Sequence, residues 1–260
     1  MMERAIAIDV DGTLLNSQGR LGRKTKDVLR RLSPTSLIIL ASGRPRRSML
    51  KLRFELGIDC ALICYNGALT FDCSLNVLER KTLPIDSLYR IFHTCSSFLS
   101  SFAIETETDI YSYIEDHYLS RYFPFEGMRI HLGPGHKLPE DGVMAALMRC
   151  PHRHDEELKE AVIREKGLMF RHWTSSTYSE VTRDDCDKAT ALKGLLSLYG
   201  IEAGNCYAFG DSTNDYCLLK ASGHPFAMAN SKAEALKGFP RTEKGNAEEG
   251  VALTLQKLFL

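Results

Sequence analysis

The sequence predicts an α/β fold: a parallel, doubly wound sheet whose chain is split by one inserted α+β domain. Three observations predict it. Short buried-strand runs alternate with amphipathic helical runs through the first 80 residues, the pattern of parallel strands joined by helical crossovers. After Thr70 the texture changes, and residues 84–180 hold most of the aromatics and seven of the eight histidines. From residue 187 the alternation of helix and strand resumes.

Each element follows from local pattern. Ala5–Ile8, small and branched throughout, reads as the first strand. In "TKDVLRRL", Val28, Leu29 and Leu32 share one helical face. "SLIILAS" is a second buried strand ending at Ser42. "RRSMLKLRFELG" is a helix with Gly57 as a left-handed stop. "CALICYNGA" is a third strand, breaking at Tyr65-Asn66-Gly67. The period-2 stretches "IYSYI", "MRIHL" and "FRHWTSSTYSEV" predict strands of a mixed insertion. Asp187 then caps a helix that turns Ala189, Leu192, Leu195, Leu196 and Tyr199 inward, with Gly200 beyond its end. "NCYAFGD" is a strand ending at Asp211, "PFAMAN" another, and "GVALTLQKLF" a closing helix. The expected division is a core of residues 1–82 and 182–260 with an inserted domain at 83–181.

Composition narrows the class. Lys+Arg and Asp+Glu balance at 33 each, so no global basic field attracts nucleic acid or an anionic membrane. No apolar run approaches the ~20 residues of a spanning helix, and the chain enters its first strand too early for a signal peptide. A cytoplasmic protein, monomeric or homodimeric, is expected. The eight cysteines lie mostly in apolar runs, and Cys60-Ala-Leu-Ile-Cys64 lacks the spacing of a redox or zinc pair. They read as reduced core thiols.

The chemistry concentrates at strand ends. Asp9, Asp11, Ser42, Asn66, Asp211, Asn214 and Asp215 all fall at or just beyond predicted strand C-termini, and Lys188 opens a helix. Ligands of open α/β sheets bind there. Carboxylates and carbonyls suit a magnesium ion. An ammonium, a hydroxyl and loop amides suit a phosphoryl group. The combined set fits phosphoryl transfer.

"DVDGT" (9–13), "LASGR" (40–44), Lys188 and "GDSTND" (210–215), in that order, resemble the four motifs of the haloacid dehalogenase superfamily. "FAMANS" (226–231) and "GNAEEGVA" (245–252) are similar to its Cof-type phosphatases. Too few residues follow Thr13 for a cap inserted there, while 146 residues separate Ser42 from Lys188. Both points resemble subclass IIB, which implies a Rossmann-like three-layer core and a C2-type α+β cap. Ala189, Cys217-Leu218 and Ala229 depart from the family pattern without removing a chemical group.

The resemblance implies roles. Asp9 would attack phosphorus and form an aspartyl-phosphate. Asp11 would protonate the leaving alcohol and then deprotonate the attacking water, and a spacing of two along the strand would keep both carboxylates on one side. Ser42 and Lys188 would hold phosphoryl oxygens, with Gly12, Thr13, Gly43, Arg44, Asn66 and Asn214 completing the phosphate-binding set. Mg²⁺ would be held by Asp9, the Asp11 carbonyl and Asp211, while Asp215 would orient Lys188 or a metal-bound water. The implied partner is a small phosphorylated metabolite such as a sugar phosphate. A hexose-phosphate mutase and a non-catalytic sensor are the alternatives.

Two further clusters read more plainly. "RPRR" (44–47) is the charged first turn of a helix, with Arg44 at the site rim. Cys150-Pro-His152-Arg-His154 lacks a second half at finger-like spacing and reads as a solvated loop.

Overall fold

Burial on both faces explains why the strand at the N-terminus shows no polar alternation: Ala5, Ile6, Ala7 and Ile8 are all fully buried. The computed structural model describes residues 2–114, 116, 118–119, 129–133, 139, 142–172 and 177–260. Met128 of the "MRIHL" stretch and residues 173–176 of "FRHWTSSTYSEV" lie outside the described residues. The chain forms two compact units, Met1–Arg80 with Cys186–Leu260, and Lys81–Asp185.

In the first unit the strands, numbered along the chain, are β1 (Arg4–Asp9), β2 (Ser36–Ala41), β3 (Ala61–Cys64), β4 (Leu69–Phe71) and β5 (Val77–Arg80), then β12 (Cys206–Gly210) and β13 (His224–Ala227). Their order is β13-β12-β1-β2-β3-β4-β5. The first five in this order are parallel, with Ala5 opposite both Leu37 and Cys206. The expected parallel sheet thus holds through β3, and β4 and β5 add an antiparallel edge that the sequence did not announce. One face, with Ala5, Ala7, Leu37, Ile39 and Ile63, packs on Leu192, Leu195 and Leu196 of the helix Lys188–Tyr199 and on Leu218 and Leu219. On the other face Tyr207 meets Phe259 of the helix Gly250–Phe259. That helix packs beside Arg23–Leu32, which in turn adjoins Arg46–Leu56. Gly57 and Gly200 end their helices at φ 66 and 65, the left-handed stop that glycine accepts without a Cβ penalty.

The second unit carries β6 (Ser101–Glu105), β7 (Asp109–Ser112), β8 (Arg129–Leu132), β9 (Ala145–Arg149), β10 (Leu168–His172) and β11 (Tyr178–Arg183). Their order is β10-β11-β9-β6-β7-β8, antiparallel except for the β7–β8 pair. Phe102, Ile104, Ala146, Met148 and Val181 pack on Leu88, Ile91 and Cys95 of the helix Ile85–Cys95 and on Leu158 and Val162 of Asp155–Ile163. None of the eight cysteines is in a disulfide, and burial pushes the thiols of Cys60 and Cys206 up to about 12. Among the described residues, no helix is long and apolar enough to cross a membrane.

Candidate active site

Four segments meet beyond the C-terminal ends of β1, β2, β3 and β12. β1 ends at Asp9, and the chain then makes one wide turn, Val10–Leu14, closed by the Leu15 N–H on the Val10 carbonyl at 2.9 Å. Asp11 is therefore presented by the turn, and strand alternation does not govern its direction. Asp9 is buried while Asp11 is exposed. Gly12 sits at φ 83, and a Cβ there would overlap the Asp211 carboxylate. That close approach brings the first and last motifs together, with Thr13 Oγ1 donating to Asp211 Oδ1 at 3.1 Å.

Lys188 is the hub. Its ammonium donates to Asp9 Oδ1 at 2.6 Å and to Asp215 Oδ1 at 2.7 Å, and its side chain is wholly buried. The helix N-cap fixes its position: Asp187 Oδ1 accepts from Ala189 N and Thr190 N at 2.8 and 2.9 Å. Burial works against the ammonium, but Asp9 and Asp215 outweigh it and hold Lys188 protonated above its ordinary range. Burial drives the Asp9 carboxyl up to about 8, Lys188 pulling against that rise and Asp215 adding to it. Apolar replacement of a buried arrangement of this kind is often neutral or stabilising, so it marks chemistry more than stability.

Asp215 also organises the "GDSTND" loop, since its Oδ2 accepts from both Asp211 N and Ser212 N at 3.0 Å. Both of its oxygens therefore carry hydrogen bonds. Asp211 is raised by burial and by Asp215, against the donors Thr13 and Ser212. Ligand oxygens of Asp9, Asp211 and Asp215 lie within 4.8 Å of one another. Three carboxylates facing one ammonium, with oxygen donors only, fit a hard divalent cation.

The remaining side comes from the ends of β2 and β3. Ser42 is buried, and its Oγ accepts from Arg44 N at 3.1 Å, which leaves the hydroxyl proton to donate elsewhere. Asn66 adopts φ 55 beside Tyr65 at φ 48; left-handed non-glycine residues cost about 1–3 kcal/mol each and cluster at functional sites. Asn66 N donates to Ser42 O, and Asn66 Oδ1 accepts from Asn214 Nδ2 at 3.1 Å. Gly43 lies against the Asn66 amide. Arg44 grips Asp11 with two bonds, Nε at 2.8 Å and Nη2 at 2.6 Å.

The Asp11–Arg44 pair was not legible in sequence. Neither was the brace supplied by the C-terminal segment. Asn230 Nδ2 donates to Gly12 O at 2.9 Å and Ser231 Oγ to Asp211 O at 2.6 Å. Asn246 spans from Leu15 O, through its side chain, to Asn230 Oδ1, through its amide. The available signal was the pair of segments "FAMANS" and "GNAEEGVA", which hold all three residues.

A family model described as haloacid dehalogenase-like hydrolase matches residues 6–255. The chain belongs to the haloacid dehalogenase-like hydrolases. Among curated relatives, the HMP-PP phosphatase of Escherichia fergusonii is 29% identical over 244 residues, covering 92% of this chain and 89% of the relative. A haloacid dehalogenase-like hydrolase from Bacteroides thetaiotaomicron superposes with a TM-score of 0.84 at 25% identity, covering 99% of this chain and 100% of its own. A sugar phosphatase of subclass IIB shares the fold at a TM-score of 0.76 and 18% identity, covering 98% of each chain. This hydrolase is thus a phosphatase by family.

Proposed function

We propose that this hydrolase is a Mg²⁺-dependent phosphomonoesterase for small phosphorylated metabolites, sugar phosphates foremost, acting through an aspartyl-phosphate. The observation that carries the reading is Lys188 bound to both Asp9 and Asp215 beside Asp211. A carboxylate nucleophile, a phosphate-binding ammonium and cation ligands stand within one cluster.

In the first displacement an Asp9 oxygen bonds to phosphorus as the ester P–O bond breaks, and Asp11 gives its proton to the departing alkoxide. In the second, Asp11 takes a proton from water as that water attacks the same phosphorus, releasing inorganic phosphate and restoring Asp9. For either transfer Asp11 must loosen its hold on Arg44, whose guanidinium is then available to the phosphate. Lys188, with two N–H bonds already committed, offers its third to a phosphoryl oxygen, and Ser42 adds its hydroxyl. Asp9, Asp211 and the Asp11 backbone carbonyl would hold Mg²⁺, with Asp215 closing the acidic set. Bound there, the cation offsets repulsion between the nucleophile and the phosphate. Relatives named for HMP-PP and for sugar substrates differ, so no single metabolite carries over.

The test is phosphate release from a panel of small phosphomonoesters, with Mg²⁺ or with chelator, for the parent protein and Asp9→Asn. Mg²⁺-dependent release that falls to background in Asp9→Asn is expected. Release that survives the substitution would sink the nucleophile assignment, and transfer between hexose phosphates without net release would indicate a mutase.

A further inference from the structure

The inserted unit brings three metal-ligating side chains together from three separate elements. His152 stands in the short turn His152–His154, Asp155 opens the helix Asp155–Ile163, and His172 ends β10. One nitrogen of each imidazole and one carboxylate oxygen lie within 4.8 Å of one another. His152 Nδ1 and Asp155 Oδ2 are 2.9 Å apart, and the two imidazole centroids 6.2 Å. We propose that His152, Asp155 and His172 bind a divalent late transition-metal ion, with zinc as its natural occupant. This goes beyond the phosphatase reading and stands independently of it.

The donor set decides the class of ion. Two imidazoles and a carboxylate suit Zn²⁺ and its neighbours, whereas Mg²⁺ asks for oxygen ligands and keeps its waters. Zinc bonds of about 2.0–2.2 Å in a tetrahedron place ligand atoms roughly 3.5 Å apart. Closure therefore needs only small side-chain rotations, and the His152 side chain, 76% exposed, has room to make them.

The surroundings have the character of an outer shell. His172 Nδ1 lies 3.1 Å from Ser179 Oγ across the β10–β11 ladder, fixing the ring and leaving Nε2 as its ligand atom. Cys150 Sγ donates to Asp155 Oδ1 at 3.5 Å from behind, orienting the carboxylate. His154 takes no part, because its ring stacks on Phe98 at 4.6 Å and its Nδ1 meets Glu157 at 3.3 Å. The missing half of the Cys150–His154 cluster is therefore supplied by a residue 20 positions beyond His152, on a strand. The three protein ligands leave a position for water, and the net charge of the loaded site is positive.

The experiment is equilibrium dialysis of the whole chain against micromolar zinc chloride with millimolar magnesium present to occupy oxygen-only sites. One zinc per chain is expected for the parent protein. Loss of a ligand should weaken binding beyond the roughly 10–100-fold that an outer partner is worth, in both His152→Gln and His172→Gln. Asp211→Asn and Cys150→Ser should bind zinc as the parent does. Side-chain ¹⁵N spectra of the parent protein give the ligands without any substitution, and zinc should move the imidazole nitrogens of His152 and His172 alone. No zinc on the parent chain, unchanged binding in the histidine variants, or loss in Cys150→Ser or Asp211→Asn would each overturn the proposal.

Discussion

Gly12 shows how much of this site rests on a single missing side chain. Its φ of 83 belongs to the left-handed region, and the Asp211 carboxylate occupies the space a Cβ would need. Gly12→Ala combines backbone strain with a clash, so it should destabilise the protein by more than about 1 kcal/mol. A lowered urea midpoint at unchanged slope, with a matching fall in phosphate release, would show it. Asp9, Asp211 and Lys188 were legible because each marks an end of a recognisable run: the first two close "AIAID" and "NCYAFGD", and Lys188 opens a helix. The Asp11–Arg44 grip was not legible. A residue-pair bond across 33 positions depends on how two loops fold back, which neither loop's own sequence states.

At the scale of elements, the cap of the helix Lys188–Tyr199 couples stability to chemistry. Burial opposes ionisation of Asp187, but hydrogen bonds from Thr190 and Ala189 outweigh it and hold the carboxyl below its usual range. Asp187→Ala should cost about 1 kcal/mol and lower kcat more than it changes KM, because Lys188 is the first residue of that helix. Asp187→Asn, which caps nearly as well, should restore both; thermal melts and steady-state kinetics read the difference. This element was read correctly from sequence, capping residue and glycine stop included. β4 and β5 were missed for physical reasons. β4 is three residues long with a register shift at Thr70/Phe71, and β5 is exposed along its whole length. Neither presents the periodic apolar pattern by which a strand is recognised.

At the scale of the whole molecule, the inserted unit has its own core. Its ends are also near each other: Lys81 Nζ donates to the Asp185 carbonyl at 3.0 Å. Residues 81–185 expressed alone should therefore fold, with cooperative thermal unfolding and dispersed amide spectra; a featureless spectrum would show that the core unit is required. Acid stability within this unit should depend on Asp109. Burial would raise its carboxyl, but hydrogen bonds from Thr108, His131 and Arg129 outweigh it and bring it down to about 2. A folded value below the ordinary one, near ~3.9, makes the contribution fully present above that ordinary value and progressively lost as pH falls toward 2. The stability difference between the parent fragment and Asp109→Asn should shrink across that window and be steady above it.

The sequence by itself determined the α/β class, the alternation of core elements, the four ordered motifs and the family they belong to. Each is written in local periodicity, in caps, or in residues at fixed offsets from a strand end. Only tertiary structure decided that Arg44 holds Asp11, that Asn230 and Asn246 brace the Val10–Leu14 turn at Gly12 O and Leu15 O while Ser231 holds Asp211 O, and that His172 completes a cluster begun at His152. Those pairings join residues far apart in the chain. Their geometry is set by sheet register and loop closure, which no short stretch of sequence encodes alone.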